Sequence, residues 1–308
     1  MNTSHQPQPA RLADIVSHWA EKSPGQTALI ENSKSWSFSE LNNVIDCAAA
    51  WLSSVGIRGG DRLMLVNENC LTLVALILAA GRIDAWAVIV NARLSDREID
   101  SMQTHCGARR TIYTTKVSED AVAHAKRHSA IPVAVPYTGE VSLGPLADVK
   151  PEPVYHDAGK QCAAMIYTTG TTGNPKGVML SHASILYVSK QTGKIRGMGS
   201  HDHVYCVLPV SHIFGLSSVL LGALAYGAKI ELVSKFSPQE LDNALRTRLT
   251  VFQGVPAMHA RLLEYAEEMG TTLSAPYLRY ISAGGSPLDP DLKKRTEAAL
   301  GAHLHNGL

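Results

Sequence analysis

Cysteine is scarce in this sequence: Cys47, Cys70, Cys106, Cys162 and Cys206 are scattered, odd in number and never spaced C-x-x-C. That distribution disfavours a disulfide framework and fits reduced thiols. Charge is equally thin. Charged residues make up 18% and the net charge is +1, so neither a basic field for nucleic acid nor an acidic solvating tail is present. Long apolar runs are missing too, the longest being residues 71–81, far short of a bilayer span. Residues 1–10 are polar, hold two prolines and contain no apolar stretch, which predicts a disordered lead and no signal peptide. Cytoplasm is the expected location. No repeat of fixed period occurs, which excludes solenoids and propellers.

What is present is a core-forming composition: 308 residues, 45% of them hydrophobic, enough for one large domain or two ordinary ones. Leu12, Ile15, Val16 and Trp19 mark an amphipathic helix stopped by Pro24 and Gly25. A strand is expected at 27–31, and Ser37 with Glu40 has the spacing of a capping box opening a helix to about Ser54. Strands at 62–66, 85–90, 111–114 and 131–135 then alternate with helices at 71–80, 95–106 and 119–128. Residues 137–160 break that rhythm with polar residues and three prolines, and read as a connector. Beyond it, strands at 163–167, 204–208, 229–233, 251–253, 278–282 and 303–305 alternate with helices at 181–194, 213–226, 256–269 and 286–300 and with one opened by Ser237-Pro238 and Glu240. The pattern predicts an α/β fold with two lobes, 11–136 and 161–308, each a largely parallel sheet flanked by helices.

The most informative stretch runs from Tyr167 to Gly177. Thr168, Thr169, Gly170, Thr171, Thr172, Gly173 and Lys176 crowd threonine hydroxyls, glycines and a lysine between an apolar run and an expected helix. Glycine lets backbone N–H groups approach a ligand, and hydroxyls and an ammonium add donors, a set suited to a polyphosphate. A Walker A loop is excluded, because Lys176 lies between Pro175 and Gly177 and the Gly-Lys-Ser/Thr core is lacking. Downstream, residues 208–215 set Pro209, His212 and Phe214 where a strand ends and a helix begins, the place where open α/β sheets hold ligands. A second glycine turn, Gly284-Gly285-Ser286, again joins strand to helix. His201 and His203 have no third ligand nearby in sequence and read as a polar loop; His303 and His305 alternate along a strand. No metal site is expected from these residues.

Residues 167–177, with Val178 to His182 behind them, resemble the phosphate-binding signature of the adenylate-forming superfamily: acyl- and aryl-CoA synthetases, peptide-synthetase adenylation domains and luciferases. The similarity extends through Gly59-Gly60-Asp61 and Asn91-Ala92-Arg93-Leu94-Ser95. It implies ATP-dependent activation of a fatty or aryl carboxylic acid to an acyl-adenylate, then transfer to a thiol. The implied cofactors are ATP, Mg²⁺ and CoA, and the acceptor is CoA or carrier-protein pantetheine; neither nucleic acid nor a membrane span is involved. The resemblance gives Lys176 and His212 catalytic roles and phosphate contact to Thr168, Thr169, Gly170, Thr171, Thr172 and Gly173. It assigns Gly284, Gly285, Asn306 and Gly307 to the nucleotide. His212, Phe214, Ser218 and Ser286 border the acid, and Lys235 meets CoA. Gly215, Ser217, Ser218 and Gly222 are small, which would leave room for a sizeable acyl group. Asn306-Gly307 matches the start of a family motif that continues with tyrosine, glycine, threonine and a Mg²⁺-binding glutamate. Leu308 ends the chain there. On that reading the glutamate and the domain with the further catalytic lysine are missing, and a non-catalytic remnant that at most binds nucleotide or a partner protein is the alternative to a ligase.

Overall fold

The computed structural model describes residues 10–168 and 176–307. Its strands are β1 (Thr27–Glu31), β2 (Lys34–Ser37), β3 (Arg62–Asn67), β4 (Trp86–Asn91), β5 (Arg110–Tyr113), β6 (Ile131–Val135), β7 (Gly139–Leu143) and β8 (Cys162–Thr168). They continue with β9 (Lys176–Ser181), β10 (His203–Cys206), β11 (Lys229–Leu232), β12 (Val251–Gly254), β13 (Tyr280–Gly284) and β14 (Leu304–Gly307). The chain forms two compact units. One comprises Met1–Gln26, Ser37–Asn67 and Thr72–Val188; the other comprises Thr27–Trp36, Glu68–Leu71 and Ser189–Leu308.

The first unit holds a sheet in the order β6-β7-β5-β3-β4-β8-β9. Strands β5, β3, β4 and β8 are parallel, while β7 runs antiparallel to β5 and β6, and β9 antiparallel to β8. Every residue of β3 is buried, as expected of a central parallel strand covered on both faces. Met64, Val66, Val88, Val90 and Tyr113 form one apolar core with Ile99 and Met102 of the helix Asp96–Cys106. Burying each such side chain contributes about 1.5–3 kcal/mol. The helix Leu71–Arg82 is apolar on all sides and accordingly buried. The helix Phe38–Ser54 starts as its sequence predicts: Ser37 accepts from the Glu40 N–H, and Glu40 from the Ser37 N–H at 2.7 Å.

Residues 137–160 are not a loose connector. Strand β7 lies among them and pairs on both sides, and the segment that follows is tied down by four arginines of the same unit. Arg110 donates to the Gly144 carbonyl (2.8 Å), Arg109 to Ala147 (2.6 Å), Arg58 to Val149 (3.0 Å) and Arg62 to Lys150 (2.9 Å). Proline content hid this strap, because its bonds are made through carbonyls, which proline leaves intact. The compact units therefore cut the chain differently from the expected lobes: the strands flanking the threonine-rich loop belong to the first unit, and β1 and β2 to the second.

The second unit's sheet has the order β14-β13-β12-β10-β11-β1-β2 and is parallel from β14 to β1. Tyr205, Phe252, Ile281, Ala283 and Leu304 pack with Leu241, Leu245 and Leu262 of two covering helices, Pro238–Thr247 and Pro256–Glu268. Charge is gathered at the strand N-termini. Asp202 accepts from Arg279, from the Thr250 hydroxyl (2.8 Å) and from the Gly199 N–H (2.9 Å). Burial alone would raise this carboxyl, yet those bonds hold it below the usual carboxylate range. His203, expected in a loop, begins β10 and lies 3.3 Å from Glu231, which also binds Arg248. No helix among the described residues is long and apolar enough to cross a membrane.

Candidate active-site residues

In the first unit the signature gains a strand that was not expected, ahead of the helix that was. Strand β9 pairs antiparallel with β8, putting Lys176 opposite Thr168, and the helix His182–Ile195 starts only afterwards. Val178-Met179-Leu180 carries no local preference strong enough to distinguish an edge strand from a helical turn; β8 decides the matter by offering its hydrogen-bonding edge. Thr168 and Lys176 are both exposed, while Thr169, Gly170, Thr171, Thr172 and Gly173 lie outside the described residues.

The end of β8 is anchored by a residue the motif does not explain. The Tyr167 hydroxyl donates to the Met102 carbonyl at 3.2 Å and lies 2.9 Å from His105 Nδ1. A phenol has one proton, so with that bond made His105 supplies the second from Nδ1. Burial raises the Tyr167 pKa, so the ring stays neutral. Both contacts come from the helix Asp96–Cys106, which sequence spacing could not relate to the loop.

In the second unit the candidates collect at strand C-termini. From β10 the chain passes to β11 on one side, and from β12 to β13 on the other, so the sheet's topological switch falls between β10 and β12. Ligands of open α/β sheets bind outside strand C-termini at such a point. His212 follows β10 in a tight turn: its N–H donates to the Pro209 carbonyl (3.0 Å), its own carbonyl accepts from Leu216 (2.9 Å), and the residue is exposed. Phe214 opens a π-helical segment, Phe214–Leu220, where a helix was expected throughout. Such wide turns concentrate at functional sites.

Phe214, Gly284 and Gly307 are brought together. Gly284 and Gly307 are paired across β13 and β14, with Asn306 opposite Ala283. A Cβ on Gly284 would lie 2.8 Å from the Gly307 carbonyl oxygen and 2.9 Å from Phe214 Cε1. Only glycine permits this approach. Gly285 follows with φ +80° and is exposed with Ser286. The helix expected from Ser286 begins at Pro290, where the Asp289 carboxylate caps the Asp291 and Leu292 N–H groups at 2.9 and 3.0 Å. Lys235 is exposed between β11 and the helix Pro238–Thr247.

At the two glycines among the small residues, close packing explains the size. A side chain on Gly215 would run into the Pro209 carbonyl, and one on Gly222 would come within 3.2 Å of Thr192 Oγ1 and 3.3 Å of the Ser217 carbonyl. Ser217 bonds back to the Ile213 carbonyl at 2.7 Å, and the Ser218 carbonyl accepts from Arg196 at 2.7 Å. Gly215 and Gly222 are thus small for close packing of the π-helical segment and the turn of helix after it.

Asn69 is a positioning residue the sequence did not reveal. Buried, its amide donates to the carbonyls of Cys206 (3.1 Å) and Leu208 (2.9 Å), and its Oδ1 accepts from the Val210 N–H (3.1 Å). It thus fixes the backbone between β10 and His212. Among the described residues no group of three or more His, Cys, Asp or Glu side chains could hold a metal ion.

Both units are thus open α/β sheets that carry their candidate residues at strand ends, the construction of a ligand-binding α/β protein. A family model described as AMP-binding enzyme matches residues 16–308, and the chain belongs to that family. It is 29% identical to a feruloyl-CoA synthase of an Amycolatopsis species over 278 residues, covering 90% of this chain and 54% of that protein. With a 4-coumarate–CoA ligase of Oryza sativa subsp. japonica the identity is 28%, over 85% of this chain and 49% of the other. The chain therefore spans about half the length of these curated relatives. Among solved structures, the inhibitor-bound N-terminal domain of FACL13 from Mycobacterium tuberculosis superposes with a TM-score of 0.80 at 23% identity, over 97% of this chain and 75% of that one. ATP-bound MatB from Rhodopseudomonas palustris gives 0.76 at 23%, over 96% and 60%. These similarities show the same fold.

Proposed function

We propose that this chain is the adenylate-forming part of an ATP-dependent acid–thiol ligase acting on a fatty or aryl carboxylic acid. The acid's carboxylate oxygen attacks the α-phosphorus of ATP, the bond to the bridging oxygen breaks, and pyrophosphate leaves with an acyl-adenylate formed. The thiol of CoA, or of a carrier protein's pantetheine, then displaces AMP and the acyl group ends as a thioester. Holding nucleophile and phosphorus in line supplies much of the rate, because both reactants are ordered before the step.

The observation that supports this reading is the register of Thr168 opposite Lys176, which brings a hydroxyl and an ammonium to the two ends of the segment rich in threonine and glycine. Lys176 and the Thr168 hydroxyl suit the β- and γ-phosphates, where negative charge rises as pyrophosphate departs. His212 would stand by the acid's carboxylate. Gly284 and Gly285, with Asn306 and Gly307 on the neighbouring strand, offer a side-chain-free ledge to the adenine. Mg²⁺ would enter on the ATP phosphates and neutralise their charge; no described side chain is assigned to it. Lys235 is proposed for CoA.

The test has two readouts. ATP binding to the 308-residue chain is expected to weaken at least tenfold in Lys176→Met. Exchange of labelled pyrophosphate into ATP is expected to depend on the acid, across aryl and fatty acids of graded length. Failure to bind ATP, together with no acid-dependent exchange, would overturn the proposal. ATP binding without exchange would instead support the alternative, a nucleotide-binding remnant.

A further inference from the structure

Strand β8 delivers its last buried side chain, Tyr167, one residue before the exposed Thr168. Thr168 faces Lys176 across β8 and β9, and Tyr167 faces Gly177 at the next step of the same register. A side chain on Gly177 would begin 2.7 Å from Met165 Sδ and 3.4 Å from the Tyr167 ring. Glycine at this place on β9 thus leaves the space beside the strand to Met165 and the phenol. The far end of that phenol is tied to another element. Its hydroxyl donates to the Met102 carbonyl at 3.2 Å and lies 2.9 Å from His105 Nδ1, with the imidazole edge-on to it at 5.7 Å between ring centres. Tyr167 therefore spans from the strand that carries Lys176 to the helix Asp96–Cys106.

A buried hydroxyl needs a partner, and the Met102 carbonyl is already one. The bond from His105 exceeds that need. His105 is exposed, so holding its imidazole in one orientation gives up side-chain freedom for little apolar burial. What the second bond gains is position: two contacts from residues three apart on one helix fix the phenol oxygen in space. The helix is itself held at its start. His124 Nε2 lies 3.0 Å from the Ala92 carbonyl and 3.1 Å from that of Leu94, its Nδ1 lies 3.1 Å from Asp96 Oδ1, and Arg127 donates to Asp100 at 2.7 Å. Because Thr168 follows Tyr167 directly and Lys176 precedes Gly177, any shift of the phenol is passed to both.

We propose that His105 and Tyr167 are positioning residues for nucleotide binding: their hydrogen bond holds the Thr168 hydroxyl and the Lys176 ammonium at the spacing the ATP phosphates require. The inference rests on the assignment of Thr168 and Lys176 to those phosphates and adds the support behind them. In this bond His105 carries a proton on Nδ1 and donates it to the phenol oxygen, whose own proton goes to Met102. A misplacement of about 1 Å in a positioned group can cost about a hundredfold in rate, so a bond made away from the ligand is worth keeping.

The experiment measures ATP affinity of the 308-residue chain by isothermal titration, well below the thermal midpoint, for the wild type, Lys176→Met, Tyr167→Phe, His105→Ala, His105→Asn and His105→Gln. Tyr167→Phe is expected to weaken ATP binding at least fivefold and His105→Ala at least threefold. The double variant Tyr167→Phe/His105→Ala should bind about as Tyr167→Phe does, because both changes break one bond. An asparagine amide nitrogen stands where Nδ1 does, so His105→Asn should return to within about twofold of the wild type; the longer glutamine should not. A purely structural role would lower the thermal midpoints and leave the affinity of the folded chain unchanged, which would overturn the inference. So would losses that add in the double variant, or rescue by glutamine equal to that by asparagine. Since His105 is exposed, its variants carry the test even where Tyr167→Phe fails to fold. ATP binding that is weakened by Lys176→Met but indifferent to His105 and Tyr167 removes this inference alone; a wild type that binds no ATP removes the phosphate assignment beneath it.

Discussion

Glu152 and Gly60 are locked backbone to backbone: the Glu152 N–H donates to the Gly60 carbonyl at 3.0 Å, and the Glu152 carbonyl oxygen occupies the place where a side chain on Gly60 would begin. Gly60 also has φ +79°, a region other residues adopt at a penalty. The strap from β7 toward β8 therefore crosses the turn before β3 at the one residue able to accept it. Gly60→Ala is expected to lower unfolding free energy by about 2–4 kcal/mol, combining left-handed strain with displacement of the strap. Urea denaturation would show it as a lower midpoint at unchanged slope.

Asn69 should matter to stability and to binding at once. Asn69→Ala strips partners from the Cys206 and Leu208 carbonyls and the Val210 N–H. The Cys206 carbonyl keeps its bond from the Val233 N–H, but leaving the Leu208 carbonyl and the Val210 N–H unpaired predicts a loss of about 1–3 kcal/mol. The turn holding His212 loosens with it, so acid affinity should fall more than ATP affinity. Separate titrations with acid and with ATP would check that split.

His182 makes the first unit sensitive to acid. Buried, its Nδ1 accepts from the Leu12 N–H at 3.1 Å, which requires the neutral ring. Burial, with a smaller contribution from the Arg11 charge, pushes its pKa down to about 3. In the unfolded chain the imidazole titrates near its ordinary value of about 6.5. Between those values the unfolded state holds the extra proton, so stability falls as pH drops through that window, approaching about 1.4 kcal/mol per pH unit. Denaturation midpoints from pH 7 to pH 4 should decline steeply in the wild type and less steeply in His182→Gln.

Gly284→Ala tests the glycine ledge. The added methyl meets the Gly307 carbonyl oxygen at 2.8 Å and the Phe214 ring at 2.9 Å. The ring can rotate but the carbonyl cannot, so β13 and β14 must part. Nucleotide affinity is expected to drop at least tenfold. Adding Phe214→Leu should restore little of it, because the backbone clash persists. Fluorescence titration with an ATP analogue would report both.

Much of this was legible locally. The Ser37–Glu40 capping box, the Ser237-Pro238 helix start and the apolar strands β3, β4 and β8 appear where short-range patterns predict them, because capping and burial on both faces leave marks on neighbouring residues. The turn chemistry of Gly284-Gly285 was legible for the same reason. Strand β7 and the antiparallel edge strand β9 were not, since short strands of mixed composition are defined by the partners that pair with them. Nor could the sequence tell that Gly215 and Gly222 are small for packing and not for a pocket.

By itself the sequence determined the chemistry available: threonine hydroxyls, glycines and Lys176 close together in one short stretch, His212 and Phe214 at a strand end, and an α/β alternation that places them. Tertiary structure decided which residues became partners. It set Asn69 beneath the His212 turn, fastened residues 144–150 with four arginines, and tied the Tyr167 hydroxyl to Met102 and His105. Those relationships join residues far apart along the chain, and no local propensity encodes them; they exist only once sheet order and register have been chosen.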